Sequence, residues 1–169
     1  RTFSSKAAEG FKKWDGGPAA EPLLSKSKGL NRFVWNMRHA TIPGVPGVYI
    51  EASYDGHKTI PGKYKFVLKM GTQSTTTDAE ILPNPLYAAV TTAAYREYDT
   101  LMTRMETAVG DMHKAVNSLH DKQAQLEALL GSLPATDKFA DVRKDGDALV
   151  KKLKAWDDEM VQRRSRAYD

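Results

Sequence analysis

The residues with the most versatile chemistry in this 169-residue chain are four histidines, His39, His57, His113 and His120. His113 and His120 stand seven apart, so on a helix they share a face, and Glu106 extends the same column. A cation held by one helix needs ligands about one turn apart, as in Glu-x-x-His. Seven residues rise roughly 10 Å, too far for one ion. This column is therefore expected to flank an apolar seam, and no metal site is expected. Asp111, Asp121 and similar acids scatter along helical sequence as solvated charges, not as a catalytic carboxylate pair. No serine lies in Gly-x-Ser-x-Gly, and no Walker or dinucleotide glycine pattern occurs. The chain has no cysteine, which excludes disulfides, thiol catalysis and Cys-ligated zinc. No catalytic residue and no cofactor are expected.

Aromatic residues offer a second chemistry. Trp14, Tyr49 and Tyr54 fall in loop-rich sequence and, with Trp35, have the composition of a sugar-binding platform. Trp35 shares a strand face with Phe33 and Met37, which assigns it to a core. Ser53-Tyr54-Asp55-Gly56-His57-Lys58-Thr59 approaches the Asp-box pattern Ser-x-Asp-x-Gly-x-Thr-Trp. It is one residue short before the glycine, lacks the Trp and occurs once, so a simple Asp-Gly turn fits it better. The candidate ligand or partner surface is Trp14, Tyr49, Tyr54 and His57.

These residues must be positioned by two kinds of element. Residues 30–38 alternate, with Phe33, Trp35 and Met37 on one face, and predict a half-buried strand. Residues 40–48 hold Pro43, Gly44, Pro46 and Gly47 and predict a loop. Val48 to Ser53 has the length of a short strand. After Pro61-Gly62, Tyr64, Phe66, Leu68 and Met70 alternate with Lys63, Lys65 and Lys69. Gly71-Thr72 fits a tight turn. Residues 73–82 return as a Thr-rich strand whose acids face those lysines across the pair. Residues 6–28, rich in Lys, Ala, Gly, Pro and Ser, read as a long connection, and Arg1 to Ser5 as the end of a strand.

From about Tyr87 the period becomes 3.6. Leu101, Met105, Ala108, Met112, Ala115, Leu119, Gln123, Leu126 and Leu130 form one apolar seam over roughly ten turns. Gly131, Ser132 and Pro134 form a stop signal. Thr136 or Asp137 is positioned to cap a second helix. Its seam is Phe139, Val142, Gly146, Leu149, Leu153, Trp156 and Met160, with Gly146 permitting close approach. Helices joined this tightly are expected to be antiparallel neighbours. Val109, Val116, Leu129, Val150 and Val161 widen these stripes, which therefore need a third element, either the sheet or a further helix.

Net charge is +4, with eight Lys/Arg against three Asp/Glu in residues 1–38. These basic residues are interspersed with Ala, Gly, Ser and Pro, which suits a solvated linker better than a nucleic-acid face. No apolar run is long enough to span a membrane. The chain opens without an initiator Met or a signal core and closes without a helix terminator, so truncation at both ends is expected.

Gly29-Leu30-Asn31-Arg32-Phe33-Val34-Trp35-Asn36-Met37-Arg38 resembles the Gly-x-Asn-Arg-Phe-x-Trp-(Asp/Asn)-x-Arg stretch in the C-terminal region of bacterial sortilin-like, BNR-repeat "glycosyl hydrolase" β-propeller proteins. Pro61-Gly62-Lys63-Tyr64-Lys65-Phe66-Val67-Leu68 is similar to that family's Pro-Gly-x-Tyr-x-x-x-Leu. Arg1-Thr2-Phe3, His113-Lys114-Ala115-Val116-Asn117-Ser118-Leu119 and the stretch from Trp156 to Tyr168-Asp169 resemble further segments of it. The resemblance implies an accessory region behind a propeller that would carry any hydrolytic site, and transfers no catalytic residue. It also implies an extracellular, periplasmic or cell-envelope location. The resulting expectation is an α+β chain. Residues 1–85 would form an incomplete Ig-like antiparallel β-sandwich with a long loop at 6–28 and upstream strands missing. Residues 86–169 would form a long antiparallel helical hairpin, a partial helical bundle. Expected partners are the parent propeller or another chain supplying the missing strand and helix, with a glycan as the alternative ligand. Neither nucleic acid nor membrane insertion is expected.

Overall fold

The computed structural model describes residues 1–48, 50 and 53–162. Their regular structure is a two-stranded antiparallel sheet and two helices, an α+β mix. The strands are β1 (Gly62–Met70) and β2 (Gln73–Ile81), joined by the turn at Gly71-Thr72. Gly71 has φ +59°, a left-handed value that a glycine adopts without a Cβ penalty. The register sets Lys63 opposite Glu80 and Lys65 opposite Asp78, as the alternating pattern predicts. On the other face Tyr64, Phe66 and Leu68 oppose Ala79, Thr77 and Thr75.

The strand expected at residues 30–38 does not form. Among the described residues, only Arg38 makes a bridge there, with Lys58. Met37 sits at φ 54°, which breaks the extended run, and Leu30 and Met37 are exposed. Trp35 instead lies half-buried across the ribbon, edge-on to Tyr64 and Phe66 at 6.3 and 5.8 Å between ring centroids. Phe33 turns away to pack on Phe3 at 4.7 Å. Among the described residues, none pairs with residues 1–5 as a strand; the Ser4 carbonyl accepts from the Leu24 amide. The segment Val48 to Ser53 falls partly outside the described residues, and Val48, Ile50 and Ser53 are not in a strand. The backbone pairing lies one step later. Thr59, His39 and Ile42 donate to Met37, His57 and Tyr54 at 2.8–2.9 Å in one antiparallel register.

A 3-10 turn, Pro85–Tyr87, leads to α1 (Thr92–Ser132). The Thr91 hydroxyl accepts from the Ala94 amide and satisfies one of the first free donors. The helix ends where Gly131, Ser132 and Pro134 predict. A second 3-10 turn (Asp137–Phe139) precedes α2 (Ala140–Met160). Thr136 makes no side-chain cap, contrary to expectation, because the chain tightens into that turn before the α-helix begins. Arg143 reaches back to the carbonyls of Leu133 and Pro134 and closes the connection from the other side. Gly146 lies under Leu130, and a Cβ there would come within 2.5 Å of the Leu130 side chain.

The observed core is small and follows the seams only in part: Met112, Leu119, Leu126 and Leu130 on α1 and Leu153 and Trp156 on α2 are half-buried. Leu101 and Met105 are more than half exposed on α1, as is Val142 on α2, and Leu149 is nearly half exposed. The buried cluster is Val45, Val116 and Val161, with Val48 and Trp156 against it. The Pro-Gly segment read as a simple loop thus supplies the third element. Pro43 rests on Gly110, where a side chain would stand 3.4 Å away, and Val45 is 2 % exposed. Small or absent side chains on α1 let this backbone approach closely. No helix among the described residues is long and apolar enough to cross a membrane.

Candidate functional site

The face of α1 toward residues 36–60 is polar and repeats every seven residues: Asp99, Glu106, His113. Each side chain meets the loop layer. The Nδ1 of His113 donates to the Pro43 carbonyl at 2.6 Å, because a carbonyl oxygen only accepts. Asn117, one turn on, donates to the Gly44 carbonyl at 2.8 Å. These bonds satisfy loop carbonyls that burial would otherwise leave unpaired.

Glu106 and Asp99 take the other end of the layer. The backbone amide of His57 donates to Oε1 of Glu106 at 2.5 Å, and the Nδ1 of His57 faces the same oxygen at 2.9 Å. The Nε2 of His57 faces Oδ1 of Asp99 at 3.1 Å, and the Nε2 of His39 faces that oxygen at 3.3 Å. The His39 and His57 rings stack with centroids 3.8 Å apart and planes 25° from parallel. Tyr98 packs edge-on to His57 at 5.8 Å. The His57 side chain is 1 % exposed, whereas those of His39 and Asp99 are about one-third exposed, at 34 % and 32 %. Gly56 admits this arrangement, since a Cβ there would strike the His39 backbone at 2.6 Å.

Burial by itself would lower the pKa of His57, but hydrogen bonds and charge from Asp99 and Glu106 outweigh it and raise the value. Both ring nitrogens face carboxylate oxygens. The imidazole therefore needs two protons, or one proton and a cation. Among the described residues, His39, His57 and Glu106 each present a ligand-type atom within 4.8 Å of the other two.

The expected surface of Trp14, Tyr49, Tyr54 and His57 is not assembled as a surface. Tyr54 is 5 % exposed, with burial raising its phenol pKa, and its ring stands edge-on to His113 at 6.3 Å. Trp14 is half-buried against Gly17, and Gly44 lies between its ring and Tyr54. His57 is buried in the cluster, and Tyr49 lies outside the described residues. Of the predicted column, Glu106 and His113 are on the packed face and His120 is exposed. The column does not flank the seam; it replaces the seam over the first half of α1. The seven-residue spacing of Asp99, Glu106 and His113 was the available signal, but His39 and His57 join it only through the fold.

No family model matches the chain, and neither a curated protein nor a solved structure matches it.

Proposed function

We propose that the chain is a non-catalytic protein-interaction module. In this reading an incomplete Ig-like β layer is carried on an antiparallel helical hairpin, and a partner polypeptide supplies a further strand and helix. The observation that carries it is the β1–β2 ribbon. Among the described residues its two nine-residue strands pair only with each other. Beyond the Trp35 contact, Leu68 and Met70 on one face and Val67 on the other are all more than half exposed. A ribbon with open edges and apolar side chains on both faces is suited to strand addition. Tyr98, Leu101, Met105 and Val109 add an exposed apolar stripe on α1, which suits a helix. In this reading, which rests here on the resemblance to accessory regions of sortilin-like propeller proteins, the host of the module is a secreted or envelope β-propeller. Glycan binding draws no support from Tyr54, whose ring is buried.

The test is a photo-cross-linking residue at Leu68 or Leu101 in the protein expressed in its native host. The same residue at exposed Lys144 serves as control. The expected result is one defined cross-linked peptide from each of the first two sites, lost when Val67→Asp or Met105→Asp is added. Cross-linking no better than at Lys144 would sink the proposal.

A further inference from the structure

The His39–His57–Asp99 corner has the make-up of a cation site that the helical spacing alone did not reveal. Three ligand-type atoms meet there: the two Nε2 atoms and Oδ1 of Asp99, with N···O separations of 3.1 and 3.3 Å. Tetrahedral zinc with bonds of about 2.0–2.1 Å holds its ligand atoms about 3.3–3.4 Å apart, so Oδ1 of Asp99 stands close to the spacing of a tetrahedral edge from each of the two nitrogens. His57 cannot give both nitrogens to one ion. Its Nδ1 faces Glu106, so Nε2, on the Asp99 side, is the nitrogen left for the ion. A carboxylate on the far nitrogen of a ligating histidine fixes ring orientation and tautomer. The backbone amide of His57 donates to the same Glu106 oxygen, which holds the ring's base as well as its edge. The side chains of His39 and Asp99 are about one-third exposed, so this corner reaches solvent.

We propose that His39, His57 and Asp99 bind a divalent first-row cation, zinc foremost, with Glu106 as the positioning residue. Imidazole with carboxylate suits zinc, cobalt and nickel and disfavours calcium or magnesium, which take mostly oxygen ligands. The cation would cross-link three parts of the chain: residues 36–42, residues 54–59 and α1. It would add to the packing a tie that holds the loop layer on the helix.

The experiment is titration of the chelator-treated full chain with zinc, followed by calorimetry and by the thermal midpoint, and with cobalt, followed by visible absorption. The expected result is one equivalent bound, a raised midpoint, and cobalt bands of a tetrahedral nitrogen–oxygen site. His39→Gln and Asp99→Asn are expected to weaken binding at least about tenfold. Both positions are one-third exposed, so circular dichroism should show these variants folded. Glu106→Gln is expected to keep the stoichiometry, weaken binding by about tenfold or more, and alter the cobalt spectrum. Magnesium is expected to have no effect. Absence of zinc and cobalt binding at about 100 μM cation would overturn the proposal. Binding that survives in the folded His39→Gln/Asp99→Asn double variant would overturn it equally, by placing the cation elsewhere.

Discussion

At the residue scale, two side chains with similar credentials in the sequence have different weights in the structure. Trp35 looks like the centre of a core, and its alternating neighbours support that. It packs edge-on over a ribbon that is otherwise open to water, and its indole nitrogen donates to the Arg38 carbonyl at 3.1 Å. Val116 is an ordinary small residue, yet it is fully buried between a loop and the end of α2. Val116→Ala removes two buried methyl groups and leaves a void inside the valine cluster. Its expected cost is about 2 kcal/mol. Trp35→Ala is expected to cost a similar amount, not the several kcal/mol of a fully enclosed tryptophan, since its surroundings can collapse onto the gap. Chemical denaturation of both variants checks this; a Trp35→Ala loss above about 4 kcal/mol would return that ring to a closed core. The histidines show why site residues were hard to read. Spacing on one helix addresses only ligands of that helix, whereas His39 and His57 come from backbone segments paired across a loop.

At the element scale, periodicity was a good guide to where helices and strands lie and a poorer guide to which face they bury. The β1–β2 turn, the lysine–acid register and the end of α1 follow from local chemistry and appear as expected. The seams do so only in part, because an apolar stripe identifies a buried face only when the covering layer is apolar too. The layer over the first half of α1 is loop backbone, and backbone carbonyls call for donors and charges. Hence Asp99, Glu106, His113 and Asn117 face inward while Leu101 and Met105 face outward. Residues 30–38 show the converse case. Their period of two is that of a strand, but among the described residues only Arg38, at their end, finds a bridge partner, Lys58. Gly146 is the position where the sequence reading and the packing agree most closely. Gly146→Ala would place a methyl 2.5 Å from Leu130. The leucine end can rotate, but at a cost to the helix contact of about 1–3 kcal/mol despite the better helix propensity of alanine. A thermal midpoint equal to or above that of the parent would show that α1 and α2 have slack at that point.

At the scale of the whole molecule, the described residues of 1–61 contain neither a helix nor a strand of the sheet, and polar ties hold much of this stretch. Arg1 is the most heavily used of these. Its guanidinium donates to the Arg38 and His39 carbonyls at 2.8 Å each and pairs with Glu21 at 2.6 Å. Partial burial alone would raise the Glu21 pKa, but hydrogen bonding and charge from Arg1, with help from Thr41, lower it. A carboxyl with a depressed folded pKa adds stability that is present above its unfolded pKa and lost as pH falls through the folded one. Acidification below the ordinary glutamate range is therefore expected to loosen residues 1–24 from residues 36–42. Hydrogen exchange at the Leu24 and His39 amides, followed against pH, should accelerate there. In Glu21→Gln that acid-dependent component should vanish; its persistence would assign it to another group.

The valine cluster has a consequence for how the chain folds. Val45, Val116 and Val161 are far apart along the chain, so their contact closes a very long span of polypeptide. The connection between α1 and α2 is short, and those helices meet through Leu130 and Gly146 across few residues. Loop-closure entropy grows by about 0.6 kcal/mol for each doubling of the enclosed length. The helix pair is thus the inexpensive encounter, and the Pro-Gly segment is ordered against it only when a distant stretch arrives. Kinetically, the latch of this molecule is its most irregular piece of backbone.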